Sequence, residues 1–214
     1  TEDEETRRRA MMELLKLLGD QYGPEAVPGV LGTKRGWVIA RVTGCEDPYR
    51  ELKREANMHA LELLEGLRGY IEDRPEAERL RAACVIGCLG NVVDYDVPGS
   101  DSDMDAAMKL LDEGLYIDDT DKLKTLIDEG TRLLFLTDNA GEIAFDTLLV
   151  EELRLLGAHV TVAVKAAPIV NDATMRDAEE VGMTEVADEV ITTGMAAMGT
   201  WLDMSPDWFL ERVH

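Results

Sequence analysis

Leu133-Leu134-Phe135-Leu136-Thr137-Asp138-Asn139-Ala140-Gly141 is followed by a second apolar run, His159-Val160-Thr161-Val162-Ala163-Val164, and this pair of runs decides the fold. The first is short, continuous and bounded by polar residues, as expected of a strand buried on both faces. Between the two, Ile143, Leu148, Leu149, Leu153 and Leu156 repeat at helical spacing, and Gly157 closes the helix. Strand, helix and strand make a βαβ unit. A helix from about Ala173 to Val181 and a short strand at Glu189-Val190-Ile191-Thr192 extend it, which predicts a parallel sheet with right-handed crossovers from residue 131 to 214.

Residues 1–130 read as helices only. Ala10, Met11, Leu14, Leu15 and Leu18 mark the first, interrupted at Gly19, and Thr33 caps a short one running through Ile39 and Val42, with a strand at Trp37-Val38-Ile39-Ala40 as the alternative to that helix. Asp47-Pro48 pairs an N-cap side chain with a proline at the first helical position, opening a helix to about Tyr70. Another spans roughly Glu76 to Leu89. A loop covers residues 97–103, and Asp103 caps a helix carrying Met108, Leu110 and Leu111. The sequence opens on threonine and its last helical stretch, around Trp208, leads into no strand, so both ends are expected to be cut.

In open parallel sheets ligands bind beyond the carboxyl ends of the strands, and two carboxylates fall there: Asp138 after the first strand and Asp172 after the second. Neighbouring strands lie about 4.8 Å apart, so the two can converge on one ion. Oxygen ligands suit a hard cation rather than zinc, and Asn139 adds an amide oxygen. Read singly, each aspartate would only cap the following helix. The helix starting near Gly141 offers its amides to phosphate. Lys165, just after a strand, would by itself be a solvated surface charge.

Charge narrows the partners. Against 22 basic side chains stand 44 acidic ones, a formal net charge of −22, which repels nucleic acid and anionic membrane surfaces. A phosphorylated substrate would be repelled too, unless a metal ion concentrates positive charge locally. No run approaches a membrane span and the acidic start is unlike a signal peptide, so a cytoplasmic location is expected. Cys84 and Cys88 read as small buried core residues and Cys45 is left over, which fits a reducing compartment. His59, His159 and His214 assemble no nucleophile-and-base set. Met195, Met198, Met204 and Trp201 read as core, with the loop from Gly194 to Gly199 lining the cleft.

The string Leu136-Thr137-Asp138-Asn139-Ala140-Gly141-Glu142-Ile143-Ala144-Phe145-Asp146 resembles the signature of the metal-dependent damage-control phosphatases, a family long catalogued as a domain of unknown function. Asp47-Pro48-Tyr49 with Lys53, Gly90-Asn91-Val92-Val93-Asp94, and Lys165 ahead of Pro168-Ile169-Val170-Asn171-Asp172-Ala173-Thr174 agree in order. The resemblance implies a Rossmann-like α/β domain with a helical lobe. It also implies Asp138, Asn139 and Asp172 as ligands of a divalent metal, magnesium or manganese, with cobalt or nickel as alternatives. Asn91 and Asp94 would reach the cleft from the helical lobe, Glu142 would stand behind the ligands, and Lys165 and Gly141 would meet phosphate. Two features of archaeal-type members are absent from this sequence: paired cysteines at the start, and a Lys-Gly-x-x-Asn-Phe-like loop at the end.

The expected activity is hydrolysis of phosphate monoesters of small metabolites, by water in preference to a phospho-enzyme route. Two other readings stand beside it. One is a non-catalytic metal- or nucleotide-binding regulatory module, although no Gly-x-Gly-x-x-Gly string or P-loop lysine motif occurs. The other is an S-adenosylmethionine-dependent methyltransferase, which would want glycines where Asp138 and Asn139 stand. Oligomeric state is not legible.

Overall fold

The computed structural model describes residues 3–90, 111 and 114–213. Helices α1 (Glu4–Gln21), α2 (Pro28–Thr43), α3 (Arg50–Glu72), α4 (Glu76–Gly90) and the short α5 (Thr120–Thr125) make the first half. Then follow β1 (Arg132–Leu136), α6 (Glu142–Leu155), β2 (His159–Val164), α7 (Met175–Glu180), α8 (Met183–Val186), β3 (Glu189–Thr192) and α9 (Asp207–Val213). The strands form a parallel sheet in the order β1-β2-β3, Leu133 opposite Val160 and Val162 opposite Val190. The class is therefore α/β with a helical N-terminal half, as the periodicities indicate.

One core spans both halves. The buried stripe of α3, Ala56, Ala60, Leu63, Leu67 and Ile71, recurs at the spacing of one helical face. From Ala60 onward it joins Leu80, Ala83 and Ile86 of α4 in the cluster that contains Phe145 and Leu148 of α6 and Val160 and Val162 of β2. Burying each such leucine, isoleucine or phenylalanine contributes about 1.5–3 kcal/mol. The helical half thus buries its apolar face on the helix that follows the first strand, and holds it against the sheet.

Several local expectations are corrected. α1 runs through Gly19, because one glycine costs only about 1 kcal/mol in a helix. Thr33 lies inside α2, its hydroxyl donating to the Gly29 carbonyl and accepting the Met198 N–H. Asp47 accepts from the Tyr49 N–H, and α3 starts only at Arg50. β1 is half-buried with both ends exposed, because it forms an edge of the three-stranded sheet. Cys88 and Met204 are exposed and Cys84 is half-buried. Asp103 and Met108, like the loop before them, lie outside the described residues, as does Leu110.

Candidate metal and phosphate site at the ends of β1 and β2

Parallel pairing of β1 with β2 sets the loops that leave them side by side, and backbone hydrogen bonds then stitch them together. The Ala173 N–H donates to the Asp138 carbonyl at 2.7 Å, and the Ala140 N–H to the Asn171 carbonyl at 2.9 Å. Asn139 and Asp172 form an isolated antiparallel bridge, so their side chains share one side of it. The three residues expected to hold a cation are thereby brought together by two strand ends.

Asp172 is 4% exposed, and its Oδ2 is buried without a hydrogen-bond partner among the described residues. Lys165 Nζ stands 3.4 Å from that oxygen and donates instead to the Gly199 carbonyl, at 2.9 Å. Burial pushes the Asp172 carboxyl up to about 6 against the pull of the Lys165 ammonium, and the Asp138 charge adds to the rise. Lys165 is itself buried, so it is no solvated surface charge. Its bond to Gly199 also brings the loop after β3 to the site. Asp138 is exposed and open to a ligand.

Glu142 opens α6, and its Oε2 accepts the Asn139 side-chain amide at 3.5 Å, which turns the Asn139 oxygen away from it. Gly90 ends α4 directly against this glutamate: a Cβ there would lie 2.5 Å from Glu142 Cγ. Asn91 and Asp94 follow but lie outside the described residues. Gly141 has φ +85, and a Cβ on it would meet Ala56 Cβ at 3.2 Å, so only glycine fits without strain. Its N–H, expected to be free for phosphate, donates to Asn57 Oδ1 at 2.7 Å.

Asn57 escaped the sequence reading. It sits in the middle of α3, where an asparagine among apolar positions gives no signal of its own, yet it is 1% exposed. Its Nδ2 donates to Asp177 Oδ1 at 3.1 Å and Glu180 Oε2 at 2.9 Å. Asp177 Oδ2 also accepts from Lys53 Nζ at 3.1 Å, from the Thr174 N–H at 2.8 Å and from the Thr174 hydroxyl at 2.6 Å. Burial raises the Asp177 carboxyl, but the Thr174 bonds and the Lys53 charge outweigh it and hold the group below the usual carboxylate range.

Val170, two residues before Asp172, has φ +48. For a β-branched residue this is a strained conformation. A cavity of about 310 Å³ lies against the same turn, between Trp37 and Tyr49 on one side and Pro168, Ile169 and Val170 on the other, with Arg35 among its lining residues.

No set of three or more His, Cys, Asp and Glu side chains that could hold a metal occurs among the described residues, so the oxygen set here is two carboxylates and an amide. A buried carboxylate oxygen that has the Lys165 ion pair but no hydrogen bond, beside a second carboxylate, fits a cation as a further partner. Among the described residues no helix is long and apolar enough to cross a membrane.

A parallel sheet with two aspartates gathered beyond its neighbouring strand ends defines an α/β protein with a candidate crevice site at that edge. The family model of the damage-control phosphatase ARMT1-like domain matches residues 1–213, and the chain belongs to that family. It is 34% identical to a damage-control phosphatase of Archaeoglobus fulgidus, over 97% of this chain and 72% of the relative. A damage-control phosphatase of Pyrococcus horikoshii is 32% identical, over 100% of this chain and 73% of the relative. The crystal structure of a DUF89 family protein from Pyrococcus horikoshii superposes with a TM-score of 0.88 at 30% identity, covering 100% of this chain and 73% of that one.

Proposed function

We propose that the chain is a divalent-metal-dependent phosphatase that hydrolyses phosphate monoesters of small, damaged or misplaced metabolites. The observation that carries the metal is the buried Asp172 Oδ2 with no hydrogen-bond partner among the described residues, beside Asn139 and coupled to the Asp138 charge. Membership of a damage-control phosphatase family supports the reaction class.

In this reading Asp138, Asn139 and Asp172 hold the cation, magnesium or manganese by the hardness of the oxygen set, with cobalt or nickel as substitutes. The cation supplies charge neutralisation for a phosphoryl oxygen and a lowered pKa for water. Glu142 orients Asn139 by accepting its amide protons. Lys165 balances the Asp172 charge and stands within reach of a phosphate at the same carboxylate. The cavity against Pro168 and Val170 receives the organic part of the substrate.

The test is hydrolysis of a generic phosphate ester after chelation and on adding back magnesium, manganese, cobalt or nickel, beside Asp138→Ala. Turnover that returns with metal and disappears in the variant is expected. Turnover unaffected by chelator, or kept by Asp138→Ala, would sink the proposal.

A further inference from the structure

Lys53 and Asn57 project from one face of α3, one turn apart, into the seam where both carboxylate-bearing loops continue into their helices. Asn57 is fully used: one acceptor bond from Gly141, two donor bonds to Asp177 and Glu180. Exchanging its amide oxygen and nitrogen would set N–H against the Gly141 N–H and oxygen against two carboxylates, so the network fixes its orientation. Asp177 in turn takes the Lys53 ammonium and both donors of Thr174. Gly141 comes two residues after Asn139, and Thr174 two after Asp172. Each loop is thus tied just beyond its proposed ligand: Gly141 directly to Asn57, and Thr174 through the capping box it forms with Asp177, which Lys53 and Asn57 join to α3.

Stability alone does not call for such a cluster. Lys53, Asn57 and Asp177 are each 3% exposed or less, and apolar residues of similar volume commonly replace buried ion pairs with no loss of stability. Apolar residues could not hold two particular backbone N–H groups at fixed positions. We propose that Lys53, Asn57 and Asp177 form a clamp, in which Asn57 and Asp177 are positioning residues that hold the two loops together and so preorganise the cation site. The link to the cation rests on the function proposed above; the holding of the loops does not.

The experiment separates the two. In chelator-treated protein, amide hydrogen exchange is followed by NMR at Gly141 and Thr174, with Val162 in the sheet as internal reference. Manganese affinity is read from the electron paramagnetic resonance of free Mn²⁺. In Asn57→Ala, Gly141 should exchange about tenfold faster relative to Val162, the worth of one net hydrogen bond. Manganese binding should weaken about 10–100-fold, as when a group supporting a ligand is lost. Asn57→Asp keeps the acceptor for Gly141 while placing a carboxylate against Asp177 and Glu180, so it should spare Gly141 and speed Thr174. If Asn57→Ala does not fold, Asn57→Gln, which shifts the amide by one methylene, takes the same measurements with the same expectation. Wild-type exchange at Gly141 and Thr174 overturns the clamp, and so does faster exchange with unchanged manganese affinity. If the wild type binds no manganese, the metal assignment fails and the amide rates alone decide the clamp.

Discussion

Two buried carboxylates five residues apart, Asp172 and Asp177, are treated in opposite ways. Asp177 is 3% exposed and receives hydrogen bonds on both oxygens from Lys53, Asn57 and Thr174, and its carboxyl is held low. Asp172 is 4% exposed, its Oδ2 takes no hydrogen bond from a described residue, and its carboxyl is pushed up to about 6. Burial costs the two about the same, so partners make the difference. A carboxylate with every partner inside the chain has no bond left for a ligand. One that has an ion pair with Lys165 but no hydrogen bond on its buried oxygen is incompletely compensated, and a cation would supply what is missing. The pair separates an aspartate whose hydrogen bonds lie within the chain from the one proposed to hold a ligand.

The contrast breaks most visibly at Lys53. Lys53→Met removes the ammonium that faces Asp177, and also stands 3.7 Å from Asp47, leaving a buried charge uncompensated. A loss of about 3–5 kcal/mol is expected by denaturant titration, at any metal concentration. A loss below about 1 kcal/mol would show that Asp177 is not sustained by its partners.

Asp172→Asn should act in the opposite direction. The folded-state value of about 6 lies above the value of about 3.9 for an unfolded aspartate, so between them the native state binds more protons. Stability of the metal-free protein should therefore fall as pH rises from about 4 to about 6, and stay low above it. Asp172→Asn, which mimics the protonated form, should flatten that slope and gain about 2 kcal/mol near neutral pH, while abolishing metal-restored turnover. A slope that survives the substitution would place the titration elsewhere.

The sequence foretells one half of this comparison and misses the other. Asp138 and Asp172 were legible because apolar runs locate strand ends, and the parallel topology puts consecutive strand ends side by side. The limits of β2 and β3 follow from the same runs. Helix starts were less legible: Asp47-Pro48 looks like a cap, yet Asp47 is drawn instead toward Tyr49 and Lys53. The contact between Asn57 and Asp177 was invisible because the two lie 120 residues apart in sequence, joined only by the packing of α3 on the second half. Burial by distant chain also accounts for Lys165, which reads as a surface charge and lies beneath the Gly199 carbonyl.

The smallest expected effect lies in the backbone between the two aspartates' strand and helix. Val170 holds φ +48 in the turn that the Asp172 N–H closes on the Ile169 carbonyl at 3.1 Å. A left-handed conformation costs an L-residue with a branched Cβ about 1–2 kcal/mol, and asparagine tolerates it better without glycine's extra unfolded-state entropy. Val170→Asn should therefore raise stability by about 1 kcal/mol in thermal denaturation, less whatever packing the half-buried valine supplies. Because the turn sets where Asp172 emerges, manganese affinity measured on the same variant sharpens the comparison. If affinity is unchanged while stability rises, the strain is incidental to the turn. If affinity falls as stability rises, the strained turn belongs with the clamp, as a second device that holds Asp172 where its buried oxygen takes no hydrogen bond from a described residue.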